Sequence, residues 1–374
     1  MKTIRQATRL GYKHVAKPLL FKQHPDDVHH SLVRTAKVVQ KVPVIRELPR
    51  LWGYRSPFLE QTVLGLRFMN PVGLSAGFDK NIDMASVMRN VGFGFMVGGS
   101  VTAEACDGNP KPWFHRLPKS HSLVVYAGLP NQGVERIAQR LTTYPAHTFD
   151  NFPLVVSVAK TNSVAAATDK EAILDYCASL NRLDRDGVAP FYEINISCPN
   201  THGGEPFSTP ERLEMLLAAI DGLVIHRPIS IKMPIDKPWP EFRALLEVIV
   251  KHNVQAVTIG NLRKERKGMK LADSLPNEVK GNLSGAPTRE ISTRLIHDTY
   301  KHYGDKLIVI GVGGIFTAQD AYDKIRAGAS LVALITGMIF EGPQVVGDIN
   351  AGLVALLKRD GYANIAQAIG ADVK

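Results

Sequence analysis

Eight short apolar runs recur after residue 70, and each of them ends in small or polar residues. They are NPVGLSAG (70–77), GFMVGG (94–99), PLVVSVAK (153–160), YEINIS (192–197), ISIKMP (229–234), AVTIGN (256–261), LIVIGVGG (307–314) and LVALITG (331–337). Their apolar character is continuous rather than alternating, which is typical of strands covered on both faces. Segments with helical periodicity separate most of the runs, for example 168–183 and 210–224. The pattern predicts an α/β fold, a (β/α)8 TIM barrel, with a doubly wound open sheet as the alternative.

The first 55 residues differ from this pattern and predict a helical extension, which leaves residues 56–374 for the barrel. Within 24–42, one helix face carries four apolar residues, Val28, Leu32, Ala36 and Val39. Residues 1–24 contain six Lys or Arg and no Asp or Glu. Such a segment can be a solvated tail, or a helix packed against the barrel. We favour peripheral association with anionic lipid at the cytoplasmic face of the cell membrane.

Composition narrows the classes of function. The net charge is +10, but no nucleic-acid-binding motif accompanies it, so we expect no nucleic-acid partner. No apolar run reaches the 18 residues that a membrane-spanning helix needs. The three cysteines are widely spaced and form no metal pair such as C-x-x-C. They are typical of free thiols in a reducing compartment, and no metal site is predicted.

The residues that follow the apolar runs converge at one mouth if the strands form a barrel. The glycines of IGVGGI (310–315) and ITGMI (335–339) favour phosphate binding by backbone N–H groups. Lys80 and Lys232 stand at or near strand ends, where burial of an ammonium group favours a cofactor that carries negative charge, such as a reduced flavin. Cys198 follows another strand, beside Pro199, and is either a buried structural thiol or a base or nucleophile.

The same segments resemble the dihydroorotate dehydrogenases, in particular their quinone-dependent class 2. The motifs that carry the resemblance are NPVGLSAGFDKN (70–81), GFGFMVGGSVT (92–102), GNPKPWFHRLP (108–118), NQGV (131–134), INISCPNT (194–201), LSGAPT (283–288), IGVGGI (310–315) and AGASLVALITGMIFEGP (327–343). FKQHPDDVHHSLV (21–33) is similar to the helical extension of that class.

The resemblance implies an FMN enzyme that oxidises dihydroorotate to orotate in pyrimidine biosynthesis, with a quinone as electron acceptor. A base takes the C5 proton of the substrate while the C6 hydride goes to flavin N5. The implied catalytic residues are Cys198 as base, Thr201 and Lys232. The implied substrate ligands are Lys80, Asn131, Asn195, Asn200 and Asn261. The implied FMN shell is Ala76, Gly77, Lys80, Ser100, Ser157, Asn195, Lys232, Ser284, Gly285, Gly313, Gly314, Thr336 and Gly337, and Arg116 is implied in the quinone tunnel.

The chain also departs from the family pattern. Class 2 enzymes normally have Ser as the base, whereas a thiol with a reference pKa near 8.5 is the stronger base candidate at neutral pH. Leu129 and Pro130 replace a Phe-Asn pair that contains a substrate ligand, and Leu262 replaces a substrate-binding Thr. Ser157 and Ile335 replace an Asn and a Tyr near the flavin. These changes leave a second hypothesis open, an FMN oxidoreductase that acts on another cyclic or unsaturated acid, and a third, a flavin-binding protein without turnover.

Overall fold

Eight parallel strands form the centre of the computed structural model, which describes residues 2–187, 189–266 and 269–373. The strands are β1 (Val72–Leu74), β2 (Phe95–Val101), β3 (Leu154–Val158), β4 (Phe191–Asn195), β5 (Ile229–Met233), β6 (Ala256–Ile259), β7 (Ile308–Val312) and β8 (Leu331–Leu334). Each strand pairs with the next along the chain, and β8 pairs with β1, so the sheet closes. The predicted (β/α)8 barrel is confirmed, and the open sheet is excluded.

Helices surround this barrel and also form the N-terminal extension. They are α1 (Lys2–Gly11), α2 (Lys17–Phe21), α3 (Pro25–Val39), α4 (Pro43–Glu47), α5 (Ala85–Val91), α6 (Val134–Thr142), α7 (Asp169–Arg185), α8 (Pro210–Asp221), α9 (Trp239–Ile249), α10 (Arg289–Tyr303), α11 (Ala318–Arg326), α12 (Thr336–Glu341) and α13 (Val345–Arg359). Wider π-helical turns at Tyr12–Ala16 connect α1 to α2. Short 3₁₀ helices occupy Leu48–Trp52, Pro57–Leu59, Ala146–Phe149, Ala286–Thr288 and Ile365–Ala368.

The two long insertions that follow β2 and β6 meet at the carboxyl end of the barrel. Strands Phe114–Leu117 and Ser122–Val125 form an antiparallel pair, and Asn282–Leu283 adds a third strand beside Ser122–Val125. At the other end, the hairpin of Gln61–Val63 and Leu66–Phe68 packs Val63 and Phe68 against the interior of the barrel. The barrel is therefore filled at its amino end, and its open end faces the insertions.

The extension is joined to the barrel by polar contacts. Arg5 is buried and its Nε lies 3.1 Å from Asp348 of α13, while the indole of Trp52 donates to Thr8 Oγ1 at 3.1 Å. Asp26 is also buried, and its carboxylate accepts from the backbone N–H groups of Trp113 and Phe114 at 2.9 and 3.0 Å. These bonds fix α1 and α3 against the last helix and the first insertion.

One surface of the extension is apolar and exposed. Of the fifteen exposed large hydrophobic side chains among the described residues, eleven belong to this segment: Ile4, Leu10, Val15, Leu19, Leu32, Val38, Val42, Val44, Ile45, Leu48 and Leu51. No helix within the described ranges has the length and apolar content to cross a bilayer. The apolar helix face predicted for residues 28–39 is buried at Val28 but exposed at Leu32.

We predict that replacing Gly347 with Ala loosens the extension from the barrel. A methyl group there would lie 1.9 Å from the Trp52 carbonyl oxygen and 2.9 Å from Arg5 Cδ. Overpacking of this kind costs about 1–3 kcal/mol of unfolding free energy. Thermal unfolding and limited proteolysis should show a lower Tm and faster cleavage within residues 1–55.

Gly11→Ala is the matched control, because a methyl group at Gly11 meets no atom within 4 Å. Alanine is the better helix former, so this variant should be unchanged or slightly more stable. Equal Tm values for the two variants would contradict the close packing of α13 on the extension.

Candidate active site

A cavity of about 790 Å³ extends from the carboxyl end of the barrel to the N-terminal helices. Parallel strands place their carboxyl ends around one mouth, so residues far apart in sequence meet there. Twelve of the nineteen residues predicted for the site line this cavity: Ala76, Gly77, Lys80, Ser100, Arg116, Asn195, Cys198, Asn200, Lys232, Asn261, Ser284 and Thr336. No Asp or Glu of the described chain is part of the lining, whereas Lys80, Arg116 and Lys232 are. The cavity is thus electrostatically suited to an anion.

A hydrogen-bonded chain organises the floor of the site at β2, β3 and β4. The amide of Asn195 donates to Ser100 Oγ at 2.8 Å, and the hydroxyls of Ser100 and Ser157 are 2.9 Å apart. Asn195 Oδ1 accepts from the N–H and hydroxyl of Ser197, both at 3.2 Å. Ser157 is fully buried and reaches the cavity only through Ser100.

Cys198 follows β4 on a loop that buried polar contacts hold in place. Burial raises the pKa of its thiol to about 11, although the N–H of Asn200 and the ammonium groups of Lys232 and Lys160 favour the thiolate. This corrects the expectation of an ordinary thiol acidity, because the protein desolvates the group. At neutral pH the thiol is therefore protonated.

Thr201 and Lys160 shape the loop after Cys198. The Thr201 hydroxyl donates to the carbonyls of Gly204 and Cys198 at 2.8 and 3.3 Å, and Thr201 is outside the cavity lining. Lys160 is buried and donates to the carbonyl of His202 at 2.7 Å. Lys160 was not predicted as a site residue, although it stands at the end of the apolar run PLVVSVAK, as Lys80 and Lys232 stand at or near the ends of theirs.

Lys80 lies where the barrel mouth meets the extension. Burial lowers the pKa of its ammonium to about 8, against the opposing effect of Asp79 and Asp26. Its Nζ is 3.4 Å from His29 Nε2 and 5.5 Å from the centre of the Phe114 ring. Burial, with Lys80 as the next cause, lowers the pKa of His29 to about 2, so His29 is neutral.

The amides of Asn200 and Asn261 both border the cavity but are bonded to the chain. Asn200 donates to the Val125 carbonyl at 3.0 Å and accepts from the Asn282 amide at 2.9 Å. Asn261 donates to Ser197 Oγ at 2.6 Å and also to the Ser197 carbonyl, and its oxygen accepts from the N–H of Leu262 at 2.8 Å. Lys232 is only 7% exposed, and its ammonium forms no hydrogen bond to any described residue.

Asn131, an implied substrate ligand, is bonded to its own loop and to Thr102 after β2. It lies off the cavity, donates to Thr102 Oγ1 and the Leu129 carbonyl, and accepts from the N–H of Gly133. Pro130 is buried and also lies off the cavity, so its side chain removes no contact from the lining.

Three apolar residues do face the cavity near Cys198, namely Leu129, Leu262 and Ile335. Leu129 has a φ of +61°, a left-handed conformation that is uncommon for a residue other than glycine. Val125 lines the cavity as well and was not singled out from the sequence. Of the replaced positions, those of Leu129 and Leu262 therefore face the cavity, and that of Pro130 does not.

The ends of β7 and β8 form the region predicted for phosphate. Gly285, Gly313, Gly314 and Gly337 lie behind the lining rather than in it. A Cβ at Gly313 would lie 2.6 Å from Thr288 Oγ1, and one at Gly337 would lie 2.0 Å from the Ile315 carbonyl. Helix α12 begins at Thr336 without a side-chain cap, so its first N–H groups have no partner from a capping side chain.

The far end of the cavity is an apolar tunnel between α2, α3 and the Ser122–Val125 strand. Arg116 lies at its wall, with its guanidinium 4.7 Å from the centre of the Phe21 ring and Nη1 2.6 Å from the Gln23 carbonyl. Its Nε is buried and has no hydrogen-bond partner within the described part of the chain. Tyr12 donates to the Ile339 carbonyl at 2.6 Å.

Comparisons with known proteins agree on one family. A family model described as dihydroorotate dehydrogenase matches residues 58–357. Proteins named dihydroorotate dehydrogenase (quinone) are similar over nearly the full chain. The Nostoc punctiforme protein is 33% identical, with 97% of this chain and 98% of that protein covered. The Natronomonas pharaonis protein is 35% identical, with coverage of 97% and 100%. The crystal structure of DHODH from Eimeria tenella in complex with ferulenol matches with a TM-score of 0.79 at 27% identity, covering 93% of this chain and 95% of that one.

We predict that alkylation of Cys198 by iodoacetamide is slow at neutral pH and rises about tenfold per pH unit towards the thiol pKa of about 11. Lys232→Met should slow the reaction further at each pH, because the ammonium of Lys232 lowers the pKa of the thiol. Mass spectrometry of the peptides separates Cys198 from Cys106 and Cys177. A titration midpoint near the reference value of about 8.5 would refute the burial effect.

Proposed function

This chain belongs to the dihydroorotate dehydrogenase family, and on that basis we propose that it oxidises dihydroorotate to orotate in pyrimidine biosynthesis, with FMN as cofactor and a quinone as electron acceptor. The observation that carries the proposal is the single cavity that joins Cys198 and the strand ends to an apolar tunnel. One ligand space that is basic at one end and apolar at the other suits an anionic substrate, a flavin and a lipophilic acceptor.

The residues present fit FMN. A Cβ at Gly77 would meet only Ile335 Cδ1, at 3.9 Å, so the backbone of Gly77 is open to a flat ring. Ala76, Ser100, Asn195 and Lys232 surround the same space. Ser284 and Thr336, whose hydroxyls are 3.0 Å apart, border the uncapped start of α12, and helix starts favour phosphate. These residues would hold the ring and the phosphate, respectively.

Bound FMN would supply a two-electron acceptor for the hydride of the substrate. The chain supplies the other half of the oxidation, the removal of a proton, and we assign it to the sulfur of Cys198. A buried thiol is a weak acid, so its thiolate is a strong base once formed. Lys232 and Lys160 favour that thiolate, and Lys80 and Lys232 are placed to neutralise a substrate carboxylate.

A second candidate is oxidation of a less polar cyclic or unsaturated acid on the same scaffold. Leu129, Leu262 and Val125 line the cavity near Cys198, and none of these side chains can bond to the ring amides of dihydroorotate. Each missing hydrogen bond to a buried polar group costs about 1–3 kcal/mol. Arg263, which could have compensated, directs its Nη1 to the Pro287 carbonyl at 3.3 Å.

The extension supports peripheral association with the cytoplasmic face of the cell membrane, from which the quinone would enter. Its exposed apolar side chains surround the entrance of the tunnel, where Leu32, Ile45 and Leu48 are both exposed and part of the lining. The basic residues of α1 and α2 add attraction to anionic lipid. Arg116, in the wall of the tunnel, would then contact the quinone.

We predict that dihydroorotate, added without oxygen to the FMN-loaded protein, bleaches the flavin absorbance and that a quinone restores it. In Cys198→Ala the bleaching should slow by at least about 10²-fold, the usual contribution of a positioned base, while FMN stays bound. In the wild type the rate should rise with pH, because the thiolate is the active form and its pKa is raised.

Three results would test the choice of substrate, the base and the cofactor, in that order. A flavin that stays yellow with dihydroorotate but bleaches with another cyclic acid would favour the second one. Leu262→Thr should then improve turnover of dihydroorotate. Turnover that is unchanged in Cys198→Ala would remove Cys198 as the base, and loss of all flavin binding in the wild type would remove the FMN assignment.

We also predict that vesicles containing anionic lipid bind the protein in a salt-sensitive manner. Replacing Leu10, Leu19 and Val44 with Ser should weaken vesicle binding and quinone reduction together, since these side chains are 58%, 57% and 77% exposed on the extension. Replacing Val164, Leu174 and Val224, which are 76%, 59% and 77% exposed outside the extension, is the matched control and should change neither. Equal losses in both triple variants would contradict a membrane-facing extension.

A further inference from the structure

Lys324 is a buried cation that the proposed function leaves without a role. Its side chain is 0% exposed, on α11 behind β7. Its ammonium donates to three uncharged oxygens in the first turns of α10: Ser292 Oγ at 2.5 Å, Thr293 Oγ1 at 2.9 Å and the Arg289 carbonyl at 3.3 Å. The amino end of a helix carries partial positive charge, so this is an unfavourable place for a cation.

No carboxylate of the described chain forms an ion pair with this ammonium. Asp320, one turn before Lys324 on α11, is 3.1 Å from Arg289 Nε and accepts from the N–H groups of Phe316 and Thr317, both at 2.9 Å. A buried charge is costly unless an opposite charge compensates it. Burial accordingly lowers the pKa of Lys324 to about 7, with Arg289 as the next cause.

Other charged groups around Lys324 do not compensate its buried positive charge. On α10, Arg289 disfavours the ammonium, and on α11, Asp320 and Asp323 favour it with smaller effect than burial. Asp323 accepts a hydrogen bond from Gln319 at 2.6 Å. Strand β7 approaches Lys324 at Gly311, where a Cβ would lie 3.5 Å from Lys324 Cδ.

Helix α13 and strand β8 also pack against α11. The charged residues of α13 have other partners, since Asp348 pairs with Arg5, Arg359 pairs with Asp360 and Lys358 lies over the Phe58 ring, and β8 carries no charged residue.

The uncompensated charge of Lys324 lies next to the region predicted to bind phosphate. A Cβ at Gly313 would be 3.2 Å from Ser292 Oγ, so one hydroxyl separates the ammonium of Lys324 from the Gly313 backbone. Arg289, whose carbonyl also accepts from Lys324, donates from Nε to the Gly314 carbonyl at 2.8 Å. Lys324 thus supports the two glycines from behind, on the side away from the ligand.

We propose that Lys324 is the counter-charge of the flavin phosphate, a positioning residue that acts through Ser292 and the Gly313–Gly314 turn. It follows that phosphate binding stabilises the protonated lysine. The protein without flavin therefore takes up a proton at Lys324 when a phosphorylated flavin binds near or above neutral pH. This inference rests on the proposed FMN site and assigns a further residue to it.

The test compares FMN with riboflavin, which has the same ring and no phosphate. Both are titrated by fluorescence into protein freed of flavin, from about pH 7.5 to about pH 9.5, where the phosphate is already a dianion because its second pKa is about 6. FMN affinity of the wild type should fall by up to about tenfold per pH unit, since binding requires a proton that the lysine loses as pH rises. Riboflavin affinity should change much less over the same range, and the ratio of the FMN to the riboflavin affinity removes the contribution of Lys80, whose pKa of about 8 affects both compounds.

In Lys324→Met, FMN affinity should fall about tenfold to a hundredfold at neutral pH and lose its pH dependence, which is the range for a hydrogen bond to a charged group. Riboflavin affinity should be unchanged. Lys301→Met removes the same charge from an exposed position on α10 and should leave both affinities as in the wild type. Equal losses of FMN and riboflavin affinity in Lys324→Met would overturn the proposal, because they indicate a purely structural role.

If Lys324→Met does not fold, Ser292→Ala makes the same test by removing the hydroxyl between the ammonium and Gly313. Its FMN affinity should fall and its riboflavin affinity should not, and the opposite result would overturn the proposal. Failure of the flavin assignment looks different, since the wild type would then bind neither compound. That result would remove this inference together with the FMN site.

Discussion

Closure of the parallel sheet is the constraint on which the other features depend. Because β8 pairs with β1, the carboxyl ends of all eight strands form one ring, and Gly77 and Thr336 come together although about 260 residues separate them in sequence. The ring needs strands that are apolar on both faces, and it leaves their polar ends at the mouth, beside polar residues of the insertions such as Arg116 and Ser284. The same residues that build the barrel therefore define the site.

That constraint explains what the sequence could predict. The eight apolar runs correspond to the eight strands because burial on both faces leaves an unbroken apolar signal, and Lys80, Cys198 and Lys232 reach the cavity because they stand at strand ends. Residues on the long insertions could not be placed in this way. Asn131 points into its own loop and Leu129 turns towards the cavity, and this difference follows from a left-handed backbone at Leu129 that composition does not indicate.

Contacts between the extension and the barrel could not be predicted from the sequence either. Asp26 lies in the first turn of α3, which begins at Pro25, and its carboxylate accepts hydrogen bonds from the backbone of the first insertion. The neutral His29 beside Lys80 depends on the same docking. Helical periodicity identifies which side of α3 is apolar, but not that buried and exposed apolar residues share that side, as Val28 and Leu32 do. Such a division arises only when a helix lies between the barrel and an open surface.

Buried lysines without carboxylate partners connect the fold to its ligand chemistry. Lys160 and Lys324 donate to carbonyls and hydroxyls, and Lys232 forms no hydrogen bond within the described ranges. Neutral acceptors satisfy the N–H groups of a lysine but leave its charge uncompensated, whereas a carboxylate would cancel the field. Keeping those charges buried costs stability in the protein alone, and burial correspondingly lowers the pKa of Lys80, Lys160 and Lys324. A bound anionic ligand compensates these charges. The uncompensated lysines that lower the stability of the free protein therefore raise its affinity for a phosphate or a carboxylate.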